Sequence, residues 1–105
     1  MSEPKWPVEV LPRAGAAEPV DVLADLLEPE EADPAKRLEV AKRVIDHVKR
    51  ENLHSPSLSV NRKSQTGETM FVVNVGGRAE FGQPGHTRPY YGPTLTLALD
   101  QVMKS

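Results

Sequence analysis

The chain has 105 residues, a net charge of −2, ten prolines and no cysteine. This length corresponds to one domain with a modest core, and the lack of cysteine excludes disulfides and thiolate-ligated zinc or iron–sulfur sites. No apolar run approaches the roughly 20 residues that span a bilayer, and the first residues lack the layout of a signal peptide. We therefore expect a cytoplasmic protein with no membrane partner.

Charge is distributed unevenly along the chain. Residues 1–33 hold nine acids and two bases, whereas residues 34–105 hold eleven bases and six acids. The first part also contains half of the prolines, which prevent a long helix or a central strand. This split predicts an acidic, proline-rich N-terminal arm (residues 1–33) followed by a compact, basic α+β domain (residues 34–105).

Two short pieces of the arm could be ordered. Residues 8–11 have the β-branched composition of an edge strand. An amphipathic segment, residues 20–28, places Leu23, Leu26 and Leu27 on one helical stripe among acids. Because so short a helix is unstable alone, it needs a surface. That surface is either a hydrophobic groove on a protein partner or this protein's own sheet, and the arm could also screen the basic domain electrostatically.

The clearest helix begins at Pro34, with Asp33 as its N-cap, and continues to about Arg50. Apolar residues recur at helical spacing and form one core-facing stripe. On the far side, Lys36, Arg43 and Arg50 fall seven residues apart, which aligns them in a row. This basic row is a candidate for binding phosphates or another anionic partner. The simpler alternative is that it only keeps the helix solvated.

The next segment predicts an antiparallel meander of three strands. Residues 57–63 and 69–75 flank a turn that contains Gly67, whose backbone freedom suits a hairpin. A glycine pair then predicts a second turn, and residues 78–81 predict a short third strand. After a rigid loop, the chain up to residue 104 predicts a C-terminal helix that begins at Pro93 or Thr94. Two amphipathic helices would cover one face of this sheet.

The loop before the last helix carries cationic and aromatic side chains that could bind nucleic acid through stacking and phosphate contacts. These residues are Arg78, Arg88, Tyr90 and Tyr91. The simpler alternative is that one tyrosine packs under the last helix and the other is half exposed. The loop's glycines match no nucleotide-binding motif, and its prolines remove amides that a phosphate cradle would use.

The order helix, three strands, helix over about residues 35–104 is similar in topology to the double-stranded-RNA-binding domain. The resemblance implies a nucleic-acid partner. That family carries a lysine-rich signature at the start of its last helix. This chain reads PTLTLALDQ at that position, without a base.

Neither a catalytic set nor a metal site is predicted. No two histidines share helical spacing, the lone His47–Glu51 pair lies on a lysine-rich helix and indicates solvated charge, and no nucleophile has a recognisable base. We therefore expect a non-enzymatic protein without a cofactor. The sequence predicts a small regulatory or inhibitory binding protein of bacterial or phage type that acts through a macromolecular surface, with a protein partner preferred. The alternative is a nucleic-acid-binding domain that uses the helix of residues 34–50 and the Arg/Tyr loop of residues 78–91. Pairing of an exposed strand edge would give a homodimer.

Overall fold

The structure, a computed structural model, describes residues 6–11, 17–51, 56–77 and 86–104. This part of the chain contains three helices and one four-stranded antiparallel sheet, which confirms the α+β class. The strands are β1 (Val8–Leu11), β2 (Pro56–Gln65), β3 (Glu68–Gly77) and β4 (His86–Gly92), and the helices are α1 (Pro19–Leu26), α2 (Pro34–Glu51) and α3 (Leu95–Lys104).

The sheet has the order β1-β2-β3-β4, and the helices follow the same order across it. Helix α1 packs on β1, α2 on β2, and α3 on β3 and β4. Leu58 and Val60 of β2 pair with Val75 and Val73 of β3, and all four side chains lie in the core beneath the helices. The opposite side of the sheet is covered by none of the described elements.

Helix α2 is the helix predicted from its cap. The Asp33 carboxylate accepts a hydrogen bond from the backbone N–H of Ala35 (2.9 Å), which satisfies one of the free amides of the first turn. Arg37 donates to the carbonyl of Glu31 (2.8 Å) and so ties the first turn to the α1–α2 connection. The apolar stripe predicted for this helix supplies four buried residues, Ala41, Val44, Ile45 and Val48.

The β2–β3 hairpin turns through Thr66 and Gly67, which both have positive φ (50° and 81°). Two consecutive positive φ angles define a type I′ turn, whose twist matches that of the flanking strands. Glycine adopts this conformation without strain, whereas the β-branched Thr66 does not. The predicted hairpin is therefore present, with strands one to two residues longer at each end.

The third strand of the meander lies later in the chain than the sequence predicts. It is β4, which pairs with β3 from Phe71↔Gly92 to Gly77↔His86. The sequence predicts a loop over most of this stretch because proline and glycine punctuate it. Pro89 is nevertheless compatible with a strand at the edge of a sheet, where one side of the backbone forms no ladder hydrogen bonds. The predicted third strand, residues 78–81, lies outside the described residues.

The N-terminal segment belongs to the same fold. Strand β1 pairs with β2 as an edge strand, with a bulge between Glu9 and Leu11. Leu23 and Leu27 are buried (0% and 2% exposed) in the core that α2 and α3 also cover. The boundary predicted at residue 33 therefore falls between elements that share one hydrophobic core.

Trp6 lies just before β1 and packs against this core. Its ring meets Phe71 edge to face, with the centroids 6.1 Å apart and the planes at 78°. Aromatic pairs favour this arrangement because a positive ring edge meets a negative ring face. Trp6 is the only tryptophan of the chain, so its fluorescence reports on the packing between the N-terminal segment and β3.

Helix α3 is capped from two directions. It begins at Leu95, one residue after the predicted start at Pro93 or Thr94, and the Thr94 hydroxyl accepts the N–H of Leu97 (3.2 Å). The carboxylate of Glu30, in the α1–α2 connection, accepts the N–H groups of Leu95 (2.7 Å) and Thr96 (2.8 Å). A carboxylate at a helix N-terminus satisfies free amides and complements the helix dipole. This contact fixes α3 to a point 65 residues earlier in the chain.

Gly92→Ala should destabilise the protein by about 2 kcal/mol or more. A Cβ atom at this position would lie 2.6 Å from the backbone nitrogen of Ala98 in α3, so the helix would have to shift. Gly67→Ala serves as the comparison, because a Cβ atom there meets nothing within 4 Å and only the positive φ is strained, which costs about 1 kcal/mol. Urea unfolding followed by circular dichroism measures both variants. A Gly92→Ala loss no larger than that of Gly67→Ala would contradict the close approach of α3.

Glu30→Gln should lower the free energy of unfolding by about 1 to 2 kcal/mol, because the amide presents an NH₂ group to one of two backbone donors. Glu28→Gln is the matched control, since this glutamate is exposed on the same connection and should change stability by less than about 0.5 kcal/mol. Thermal unfolding monitored by Trp6 fluorescence compares them. Equal melting temperatures would show that the Glu30 cap contributes nothing.

Candidate binding surface

Side chains on alternate positions of the sheet form a surface on the side away from the helices, which we call the open face. The register assigns it Glu9 from β1, Ser57, Ser59, Asn61 and Lys63 from β2, Glu68, Met70, Val72 and Asn74 from β3, and Thr87, Pro89 and Tyr91 from β4.

The open face has a small apolar centre formed by Met70, Val72 and Tyr91. Val72 is only 4% exposed, although it is not part of the core beneath the helices. It lies directly opposite Tyr91 across the β3–β4 pair. Met70 and Tyr91 are 44% and 52% exposed, among the most exposed large apolar side chains in the described part of the chain. Together with Lys63, these residues line a depression of about 620 Å³.

Charge is unevenly placed on the open face. Of the charged residues in the described ranges, only Glu9, Lys63 and Glu68 lie on it, the first on the short edge strand and the others at the hairpin end. The strand residues Arg62 and Arg88 point to the helix side. An uncharged centre that exposes tyrosine and methionine is the compositional mark of protein interfaces.

Sequence reasoning identified Tyr91 but not Met70 and Val72. A signal for them exists in the strand pattern, because alternate positions of β2 (Ser57, Ser59 and Asn61) are polar but uncharged. That pattern indicates a face that is neither core nor an ordinary solvated surface.

The structure divides the predicted Arg/Tyr set. Because these residues lie on a strand, Tyr90 and Arg88 point to one side of the sheet and Tyr91 to the other. Tyr90 is partly buried against the core, whereas Arg88 is exposed. Arg78 lies outside the described residues. One tyrosine is therefore packed and the other half exposed, as in the simpler alternative to nucleic-acid binding that the sequence leaves open for this stretch.

The predicted basic row is exposed on the outer side of α2. Lys36, Arg43 and Arg50 all lie away from the core. The Nη2 atom of Arg43 contacts the Oε1 atom of Glu39 at 3.1 Å, and both side chains are more than 60% exposed. The row belongs to the helix layer, on the opposite side of the molecule from Tyr91. Lys36, Arg43 and Arg50 therefore share no face of the molecule with Tyr91.

An acidic ridge runs beside the basic row. Helix α1 packs against α2. It contains the exposed acids Asp21 and Asp25, and the exposed Glu18 and Glu28 lie just before and just after it. Packed helix axes lie about 8–10 Å apart, close to the Debye length of about 8 Å at physiological salt. Exposed charges of opposite sign thus lie on neighbouring helices. The first two turns of α3 also carry no base.

The predicted partner-binding leucines are engaged within the chain. Leu23 and Leu27 are buried, and Leu26 is partly buried against the same core. Their side chains are thus unavailable for a partner's groove in this conformation. The contacts agree with self-packing, one of the alternatives that the sequence leaves open.

Both edge strands of the sheet have features that disfavour edge pairing between two copies. The outer strand β4 contains Pro89, which lacks a backbone N–H. The other edge, β1, has only four residues and follows Pro7. Short strands and proline are features that protect sheet edges against association. The edge-paired homodimer predicted from sequence is therefore not favoured by the strands that the structure describes.

Within the described ranges, no group of three or more histidines and carboxylates could hold a metal ion, and no helix has both the length and the apolar character to cross a membrane. Comparisons with protein-family models, with curated proteins and with solved structures find no match for this chain.

The two adjacent tyrosines should respond differently to truncation. Tyr90→Ser removes contacts with the core and should destabilise the protein by about 2 kcal/mol. Tyr91→Ser alters the open face and should cost less than about 1 kcal/mol. Urea unfolding of both variants compares them directly. Equal losses would contradict the assignment of the two rings to opposite sides of the sheet.

Proposed function

We propose that this chain is a small, non-enzymatic, cytoplasmic binding protein of regulatory or inhibitory type that acts on a protein partner through the open face. The observation that carries the proposal is the composition of that face: exposed Met70 and Tyr91 surround the buried Val72, while charge is confined to the margins. Tyrosine and methionine are enriched in the cores of protein interfaces, and lysine and glutamate are depleted there.

The chemistry of the open face suits a protein better than a nucleic acid. Nucleic-acid affinity comes largely from cations that displace counterions from phosphates, and Lys63 is the only cation on the described part of this face. Tyr91 offers a large, rigid anchor of the kind that dominates binding energy at protein interfaces. Ser59, Asn61 and Asn74 surround the centre with hydrogen-bonding groups, as in an interface rim.

The shape of the open face also favours binding over catalysis. Substrate sites are usually concave pockets that enclose most of a small ligand. The depression beside Met70 and Tyr91 lies on the surface of a sheet rather than between elements. A partner would cover it by laying an apolar residue over Val72.

Site-specific photo-crosslinking tests the proposal in the native host. Tyr91 is replaced by p-benzoylphenylalanine in one strain and Leu97 in a control strain. Leu97 is a matched control because it is 47% exposed, close to the 52% of Tyr91, but lies on α3 at the helix side of the molecule. We expect a discrete covalent adduct with one protein from position 91 and none from position 97.

The protein captured at position 91 is then purified, and its affinity for this chain is measured by calorimetry. We expect Tyr91→Ser to weaken binding at least tenfold and Leu97→Ser to leave it unchanged. Equal adducts from both positions, or an affinity that Tyr91→Ser does not alter, would refute binding through the open face.

A further inference from the structure

We infer that Met70 is a site of reversible oxidation and that its conversion to methionine sulfoxide weakens binding through the open face. The inference rests on the proposed function, because it names how that same surface is regulated. Two observations carry it. Met70 lies in the apolar centre of the open face, and no other methionine or cysteine in the described ranges is exposed.

The side chain of Met70 is accessible to a small oxidant. It is 44% exposed and lines the depression of the open face. The chain has three methionines and no cysteine. Met103 is partly buried, because it packs against the core beneath the helices, and Met1 lies outside the described residues. Susceptibility to oxidation follows exposure, so we expect Met70 to react well before Met103.

The reaction needs a peroxide, and hydrogen peroxide serves as the probe. The thioether sulfur attacks one peroxide oxygen, so that a sulfur–oxygen bond forms and the oxygen–oxygen bond breaks. The departing hydroxide takes the proton of the transferred hydroxyl and leaves as water. Sulfur is oxidised and the peroxide is reduced. A dithiol-dependent sulfoxide reductase reverses the change, because its dithiol becomes a disulfide and the sulfoxide oxygen leaves as water.

The position of Met70 makes this change unfavourable for binding. On β3, Met70 lies two residues before Val72 and diagonally opposite Tyr91 of β4. A partner that covers Val72 therefore also removes Met70 from water. The thioether is apolar and flexible, which suits such a contact. The sulfoxide is polar, and its oxygen would have to give up water within an apolar centre. We expect oxidation to weaken binding at least tenfold.

Oxidation of Met70 should leave the fold intact, since this side chain lies on the open face and is not part of the core. Oxidation of Met103 would instead place a polar group against the core and destabilise the protein. Binding and stability are therefore separate readouts for the two methionines.

The first measurement is the order of oxidation. The purified full chain is treated with hydrogen peroxide, and catalase removes the excess. The three methionines fall in separate tryptic peptides, so mass spectrometry assigns each added oxygen. We expect Met70 to be oxidised at least tenfold faster than Met103, while circular dichroism and Trp6 fluorescence stay unchanged. Equal rates for the two methionines would overturn the selectivity of Met70.

The second measurement is the affinity of the oxidised chain for the protein captured at position 91, by calorimetry. Only this chain is treated with peroxide before mixing, so the partner is unaltered. We expect an affinity loss of at least tenfold. Methionine sulfoxide reductases should restore the affinity as the peptide masses show the return of Met70 to the thioether.

Two variants assign the loss to one methionine. Met70→Leu has an apolar side chain without sulfur, so its affinity, whatever its value, should be the same before and after peroxide treatment. Met103→Leu is the matched control. It retains Met70 and should lose affinity on oxidation as the unmodified chain does.

The inference is overturned if the oxidised chain binds as tightly as the untreated chain, if peroxide weakens Met70→Leu as much as the unmodified chain, or if reduction of the Met70 sulfoxide does not restore binding. In each of these cases the untreated chain still binds through the open face, and the proposed function stands. Absence of an adduct from position 91 before any oxidation would remove the proposed function and, with it, the role of Met70.

Discussion

The fold depends on three helices that cover one side of the four-stranded sheet and remove it from water. Two of these helices have only eight and ten residues. Hydrophobic burial stabilises a small domain only when most of one face is removed from water. Helices α2 and α3 cover β2, β3 and β4, and α1 covers β1 and the side of α2. Leu23 and Leu27 fill the space that would otherwise admit water. An N-terminal segment with the composition of a linker is therefore a structural part of the domain.

One-sided burial also explains where the charges lie. The exposed sides of α1 and α2 carry many of the charged residues in the described ranges, acidic on α1 and mainly basic on α2. The other side of the sheet carries its charges on β1 and at the hairpin end, and it holds a valine that is 4% exposed without a described helix above it. The helix layer with its many charges and the apolar centre of the open face thus lie on opposite sides of the domain. This division separates the basic row from Tyr91 and weakens the case for nucleic-acid binding.

Local signals predicted the elements that local interactions determine. Helix α2 follows from Asp33, Pro34 and an apolar repeat, and the β2–β3 hairpin follows from Gly67 between alternating strands. Strand β4 was missed because Pro89 indicates a loop locally, while its position at the sheet edge depends on the order of all four strands.

Long-range contacts account for the rest of what the sequence could not predict. Pairing of β1 with β2 joins residues about 50 positions apart, and the Glu30 cap spans 65. Neither contact leaves a periodic pattern of apolar residues in the sequence. For the candidate surface, residue type alone placed Tyr91 in a group with Tyr90 and Arg88. Once residues 86–92 are known to form a strand, the alternation of side chains places Tyr91 on the open face, beside Met70 and Val72.

The cap that Glu30 provides for α3 has a consequence for how the protein opens. A ten-residue helix opens most readily at its first turn, where the backbone N–H groups have no partner within the helix. Glu30 lies between α1 and α2, so release of the first turn of α3 also removes a constraint on the connection that orders those helices. The first turn of α3 and the α1–α2 connection thereby stabilise each other. The amides of Leu95 and Thr96 should then exchange with solvent only when this contact opens.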